Sequence, residues 1–158
     1  MSASLILFED DSARIVDVCE RLNRDACSRA VFLVEKDGQL VASAGDTEDF
    51  DLMSLASLTA GNMAATNGLA NLLGEQGFDS QFHAGIREHI HISTVGHRMI
   101  LVVIFNDRSS IGLVRLKIDQ ATTALHSVIE SVLTRSEAVG GDSVTYTDTE
   151  IDRMLDDE

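Results

Sequence analysis

The sequence predicts an α+β fold with the element order αββαβββα, in which helices cover both faces of one sheet. Three observations carry this. Two β-rich runs meet at Asp37-Gly38 in AVFLVEKDGQLVASAG, two more, HIHISTV and RMILVVIF, meet around Gly96-His97, and three helical stretches separate and flank them. With 158 residues, 44% of them hydrophobic, the chain has the length of one domain and enough apolar mass for a core.

The first helix follows Asp11 or Ser12 as cap, with Ile15, Val18, Cys19, Leu22 and Ala26 at helical spacing on one side and Arg14, Asp17, Glu20, Arg21 and Arg24 on the other. In the first hairpin, Asp37-Gly38 suits the positive dihedrals of a tight turn. The acidic stretch Asp46 to Asp51 favours the N-terminus of a second helix. After Gly74 and Gly77, QFHAGI reads as a short strand, and Gly96-His97 suits a type II′ turn between the last two strands. RMILVVIF is apolar on both faces, as a strand at the centre of a covered sheet must be.

Asn106-Asp107 or Ser109 opens the last long helix, whose stripe Ile111, Val114, Ile118, Ala121, Leu125, Val128 and Val132 keeps phase to about Arg135. The chain has no proline, so its helices must stop at glycines and caps. Composition changes near Glu137, which divides the chain into a folded domain, 1–136, and an acidic tail, 137–158. Gly140-Gly141 reads as flexible linker, and T-D-T-E at Thr147–Glu150 fits a capping box for a short helix carrying Ile151, Met154 and Leu155 on one side. From Glu137 onward there are eight acidic residues and one Arg, half of the net charge of −14.

That charge repels phosphate backbones and anionic lipid surfaces, so a protein surface is the expected partner rather than nucleic acid or membrane. Cys19 and Cys27 read as reduced thiols of a cytosolic protein. The start, MSASLILFEDD, lacks the basic region of a signal peptide, and the run beginning at Leu52 holds too many Asn, Gly and hydroxyl residues to span a bilayer.

The second helix poses the functional question. From Leu52 to Gly74, 23 residues, there is no Asp, Glu, Lys or Arg, although charged residues make up 24% of the chain. At about 100° per residue, Leu55, Leu58, Ala65, Leu69, Leu72 and Leu73 share a side with Asn62, and that side is expected on the sheet. Opposite lie Met53, Ser57, Ala60, Ala64, Asn67 and Asn71, flanked by Gly61 and Gly68. Small uncharged residues there admit a close second backbone without the desolvation cost of a buried Lys or Glu. Contact with another polypeptide is the expectation.

The segments VFLVEKDGQLVASAG, DLMSLASLTAGNMAATNGLANLLGE, QFH and MILVVIFNDRSSIGLVRLKI, in this order, resemble the Roadblock family, over about Leu5 to Leu133 and again in the acidic tail. The resemblance implies a Roadblock/profilin-like, five-stranded, mostly antiparallel sheet with helices on both faces and a short C-terminal helix. It also implies a homodimer joined through the third strand and the second helices, on whose helix pair one Ras-like GTPase sits in its GTP-bound form. Carried over, the contact positions are Ser57, Ala60, Gly61, Ala64, Gly68 and Asn71, with Ile151, Met154 and Leu155 as tail contacts that influence nucleotide exchange. Such a protein is no enzyme and needs neither catalytic residues, cofactor nor metal. It activates the GTPase by placing the latter's own catalytic residues, in a cytoplasmic, pole-concentrated system for bacterial polarity and motility. A scaffold of the same fold that binds a GTPase without stimulating hydrolysis is the alternative.

Rival chemistry is sparse. His89 and His91 share one strand face with His83 and His97 nearby, a weak metal-site pattern with no Cys or nearby carboxylate cluster to complete a ligand set. Ser109-Ser110 and Cys19 lack a base, and no G-x-x-x-x-G-K-[ST] phosphate loop occurs. Arg87, Arg98 and Arg108 fall near loops, where one could act in trans on a bound nucleotide.

Overall fold

A computed structural model describes residues 7–142, with side chains as far as Arg135. The elements are α1 (Glu9–Asp25), β1 (Ala30–Glu35), β2 (Leu40–Gly45), a 3-10 turn (Thr47–Asp49), α2 (Leu52–Leu73), β3 (Ser80–Ala84), β4 (His89–Val95), β5 (Met99–Phe105) and α3 (Ile111–Asp142). This is the predicted αββαβββα order. The tail contacts Ile151, Met154 and Leu155, with the expected short helix, lie outside the described residues.

The five strands form one sheet in the order β2-β1-β5-β4-β3, antiparallel throughout. β5 is its centre, and all seven of its residues are buried, which explains a strand apolar on both faces. Alternation sorts its side chains. Met99, Leu101, Val103 and Phe105 join Val31 and Leu33 under α1 and α3, while Ile100, Val102 and Ile104 join Phe32 and Val34 under α2. Every member of the predicted stripes Ile15, Cys19, Leu22, Ala26 and Val114, Ile118, Ala121, Leu125, Val128, Val132 is buried, and Val18 and Ile111 pack at their margins.

Turns and caps refine the sequence reading. Gly38 takes φ +93° in the first hairpin, where the Asp37 carboxylate accepts from the Gln39 N–H at 3.1 Å. Gly96 takes φ +62°, but Val95 pairs with Met99, so three residues rather than a two-residue turn connect β4 to β5. Asp51 caps α2, accepting from the Ser54 N–H at 3.2 Å and from its hydroxyl at 2.6 Å, and these bonds hold its carboxyl below the usual range. Gly74 ends that helix in the left-handed region at φ +77°.

Two caps differ from expectation. Asp11 lies inside the first turn of α1, buried, and its carboxylate accepts from the Arg135 guanidinium instead of capping. Ser110 caps α3 by accepting from the Leu113 N–H at 3.2 Å, because the Ser109 hydroxyl is spent on the Ala26 carbonyl and Asn106 on its own turn to Arg108. α3 also runs on through Gly140-Gly141 to Asp142, past the end its stripe predicts.

Candidate functional site

Among the described residues α2 is the one helix on its face of the sheet, and the way it packs decides what it exposes. The strands beneath raise Phe32, Val34, Ile100, Val102 and Ile104, all large. The helix meets them with Ala56, Thr59, Met63 and Ala70. Large side chains from the sheet require small ones from the helix if the layers are to close without voids. Gln81 of β3 donates to Thr66 Oγ1 at 3.1 Å and contacts Met63 Sδ at 3.2 Å, fixing the helix's second half.

This corrects the expected orientation. Most of the leucine side is turned to solvent: Leu58 is 72% exposed, Leu69 58% and Leu72 85%, with Ala65 and Leu73 also outward, whereas Leu55 packs partly buried against the sheet as expected. Assigning leucines to the core is the natural reading of a helix wheel, but a helix uncharged all round has no strongly preferred inward side, and the bulk of the opposing strands chose it. The absence of charge on every side was the available signal that the exposed face would be uncharged whichever way the helix turned.

Of the sequence-predicted contact residues, Ser57, Gly61, Ala64, Gly68 and Asn71 are exposed. Ala60 is half-buried, because the β1–β2 turn leans on it: a Cβ added at Gly38 would lie 3.8 Å from the Ala60 Cβ and 3.6 Å from the Ser57 Cα. At Gly61 and Gly68 an added Cβ would meet nothing within 4 Å. The two glycines therefore open onto free space, and their strip runs directly beside the leucine row.

The entry to α2 is pinned by Arg29. Its guanidinium donates to Glu88 and, at 3.0 Å, to Asp49, and lies 5.0 Å from the centre of the Phe50 ring. Glu88, first of all, then Asp49 and Asp46 raise the Arg29 pKa. Arg98 pairs with Glu35 at 3.8 Å, whereas Arg87 and Arg108 are exposed around an open cavity of about 470 Å³ with Asn106 and Asp107.

His89 and His91 do share a sheet face, with Phe82 and Phe105 stacked beside His89. Among the described residues no three His, Cys, Asp or Glu side chains converge as a metal site would require. Cys19 is buried, which pushes its thiol up to about 12, the wrong direction for a nucleophile. Among the described residues no helix is long and apolar enough to cross a membrane.

Among the described residues the antiparallel sheet carries α2 on one face and α1 with α3 on the other, and the Roadblock/LC7 domain model matches residues 14–105. The chain belongs to the Roadblock/LC7 family. Within it, the chain is similar to Myxococcus xanthus MglB, with 50% identity over 81% of this chain and 96% of that one and a TM-score of 0.77. It is similar also to the gliding protein MglB of Thermus thermophilus, at 32% identity over 83% and 99% of the two chains, TM-score 0.77. A third likeness is to an MglB in a tetrameric arrangement, at 31% identity over 84% and 99%, TM-score 0.77. Comparison with curated protein sequences finds no match. The fold is thus that of a family of GTPase-regulating proteins.

Proposed function

We propose that this protein is a non-enzymatic activator of a small Ras-like GTPase of the MglA kind, acting as a homodimer on the GTP-bound form. The observation that carries this reading is the uncharged, outward face of α2, which no described part of the chain covers. Burying an exposed leucine gains about 1.5–3 kcal/mol, so a row of them on one helix favours a stable protein partner.

In this reading Leu58, Leu69 and Leu72 meet the same row of a second copy, and the third strand, at the sheet's edge, joins its equivalent. The adjoining strip of Ser57, Ala60, Gly61, Ala64, Gly68 and Asn71 receives the GTPase. Binding selects the GTPase conformation in which its own residues align water for in-line attack on the γ-phosphate, and so needs no catalytic group from this chain. The tail, through Ile151, Met154 and Leu155, docks elsewhere on the GTPase and affects nucleotide exchange. Residues 1–136 suffice for dimerisation and activation, with 137–158 as the exchange element. The similarity to MglB proteins supports a role in polarity or gliding, in the cytoplasm and at a cell pole.

The test is phosphate release from the Ras-like GTPase of the same organism, with and without this protein. Turnover accelerated by a substoichiometric amount of dimer is expected. Flat turnover with co-elution of the two proteins would replace the activator by a scaffold of the same fold.

A further inference from the structure

The α2 side of the sheet ends, beyond its apolar rows, in two basic residues. Ala30, Phe32 and Val34 of β1 and Ile104, Val102 and Ile100 of β5 pair across the ladder and lie together under α2. Continuing each alternation by two residues gives Lys36 and Arg98. The ladder itself reaches that far, because the Lys36 N–H donates to the Arg98 carbonyl at 3.0 Å, one step beyond the Glu35–Met99 pair. The two cations therefore stand opposite one another on the side that carries α2.

Like charges directly across a ladder are unfavourable. Arg98, half-buried, is offset by Glu35 at 3.8 Å. Lys36 is exposed, and among the described residues no ion pair includes it. The adjacent Asp37 accepts from the Gln39 N–H within the turn. That turn is held by its own backbone, Glu35 N–H to the Gln39 carbonyl at 2.8 Å and Gly38 N–H to the Glu35 carbonyl at 2.9 Å, and Gly38 leans on Ser57 and Ala60. Lys36 is thus fixed at the border of the α2 strip, at the end of central strands and away from the β3 edge.

The uncharged run Leu52 to Gly74 offers an approaching protein no electrostatic direction, and the net charge of −14 repels acidic surfaces everywhere else. A cation at the rim supplies both attraction and orientation, with little effect on affinity once docked. We propose that Lys36, backed by Arg98, is the charged rim of the GTPase seat and meets a carboxylate on the GTPase, setting the rate of encounter. This rests on the GTPase reading above and names the chemistry of the partner surface beside the strip.

The test is stopped-flow association of the full-length protein with the Ras-like GTPase of the same organism, loaded with a non-hydrolysable GTP analogue. Lys36→Glu should slow association about tenfold at about 50 mM salt and less than about twofold at about 500 mM, where screening is strong. Its dissociation rate should change less than about twofold, and Lys36→Arg should associate like wild type. Lys117→Glu, on α3 across the sheet, makes the same change in net charge and should slow association far less. Wild-type binding with Lys36→Glu no slower than Lys117→Glu, or a deficit undiminished at about 500 mM salt, overturns the proposal and leaves the GTPase reading standing. No association by wild type at either salt overturns that reading and this inference with it.

Discussion

Arg29, at the start of β1, donates to the carboxylate of Glu88 in the β3–β4 turn while also holding Asp49 before α2. One three-quarters-buried guanidinium thus ties the sheet's end to the entry of the helix that carries the candidate interface. Arg29→Gln should speed amide hydrogen exchange in residues 46–50 and 85–88 and leave β5 protected. Uniform acceleration across the sheet would mean that Arg29 supports global stability rather than this local junction.

Gly61 and Gly68 are the next point of leverage. Each costs about 1 kcal/mol of helix propensity relative to Ala, and nothing in the protomer stands where a methyl would go. Gly61→Ala and Gly68→Ala should each raise the stability of the protomer by about 0.5–1 kcal/mol in denaturant titrations at low concentration. The same changes should weaken partner binding, because the methyl keeps the second backbone away. Loss of stability would indicate a packed site.

Larger substitutions separate folding from recognition more sharply. Ala64→Arg and Gly68→Arg place the new side chain in solvent, so circular dichroism and melting should stay close to wild type, within about 1 kcal/mol. GTPase binding should vanish under a buried, unpaired charge. Retained binding in a pull-down would move the interface off this strip.

The two thiols differ in reach. Cys19 is buried with its thiol pushed up to about 12, while Cys27 is exposed. A thiol reagent at pH 8 should modify Cys27 within minutes and reach Cys19 only on unfolding. Two fast equivalents in the native protein would contradict the packing of Cys19 against the sheet.

His91 imposes a pH dependence. Its folded pKa lies below the ordinary 6.5, so on acidification through about pH 6.5 the unfolded chain takes up a proton that the folded protein refuses. Its contribution to stability is complete above that value and declines as pH falls toward the folded pKa. The acid-side slope of the unfolding free energy between pH 6.5 and 5 should diminish in His91→Gln. An unaltered slope would assign it to other groups.

Much of this architecture was legible before folding. The period-two runs, Asp37-Gly38 and the stripes of α1 and α3 placed every strand and both amphipathic helices, because each pattern has one orientation that buries its apolar atoms. Cap identity was less legible at Asp11, Ser109 and Ser110, since a carboxylate or hydroxyl serves a distant partner as readily as its own helix.

What the chain alone determined about the candidate site is its chemistry: 23 residues without a charge, so that any exposed side must be uncharged. Which side that would be was decided only in three dimensions. Phe32, Val102 and Ile104 fill the space beneath α2, so Ala56 and Ala70 fit inward and Leu58, Leu69 and Leu72 are pressed outward, beside the open glycines. A helix with little amphipathic asymmetry carries no preferred rotation of its own, and the volume left by the opposing layer supplies it.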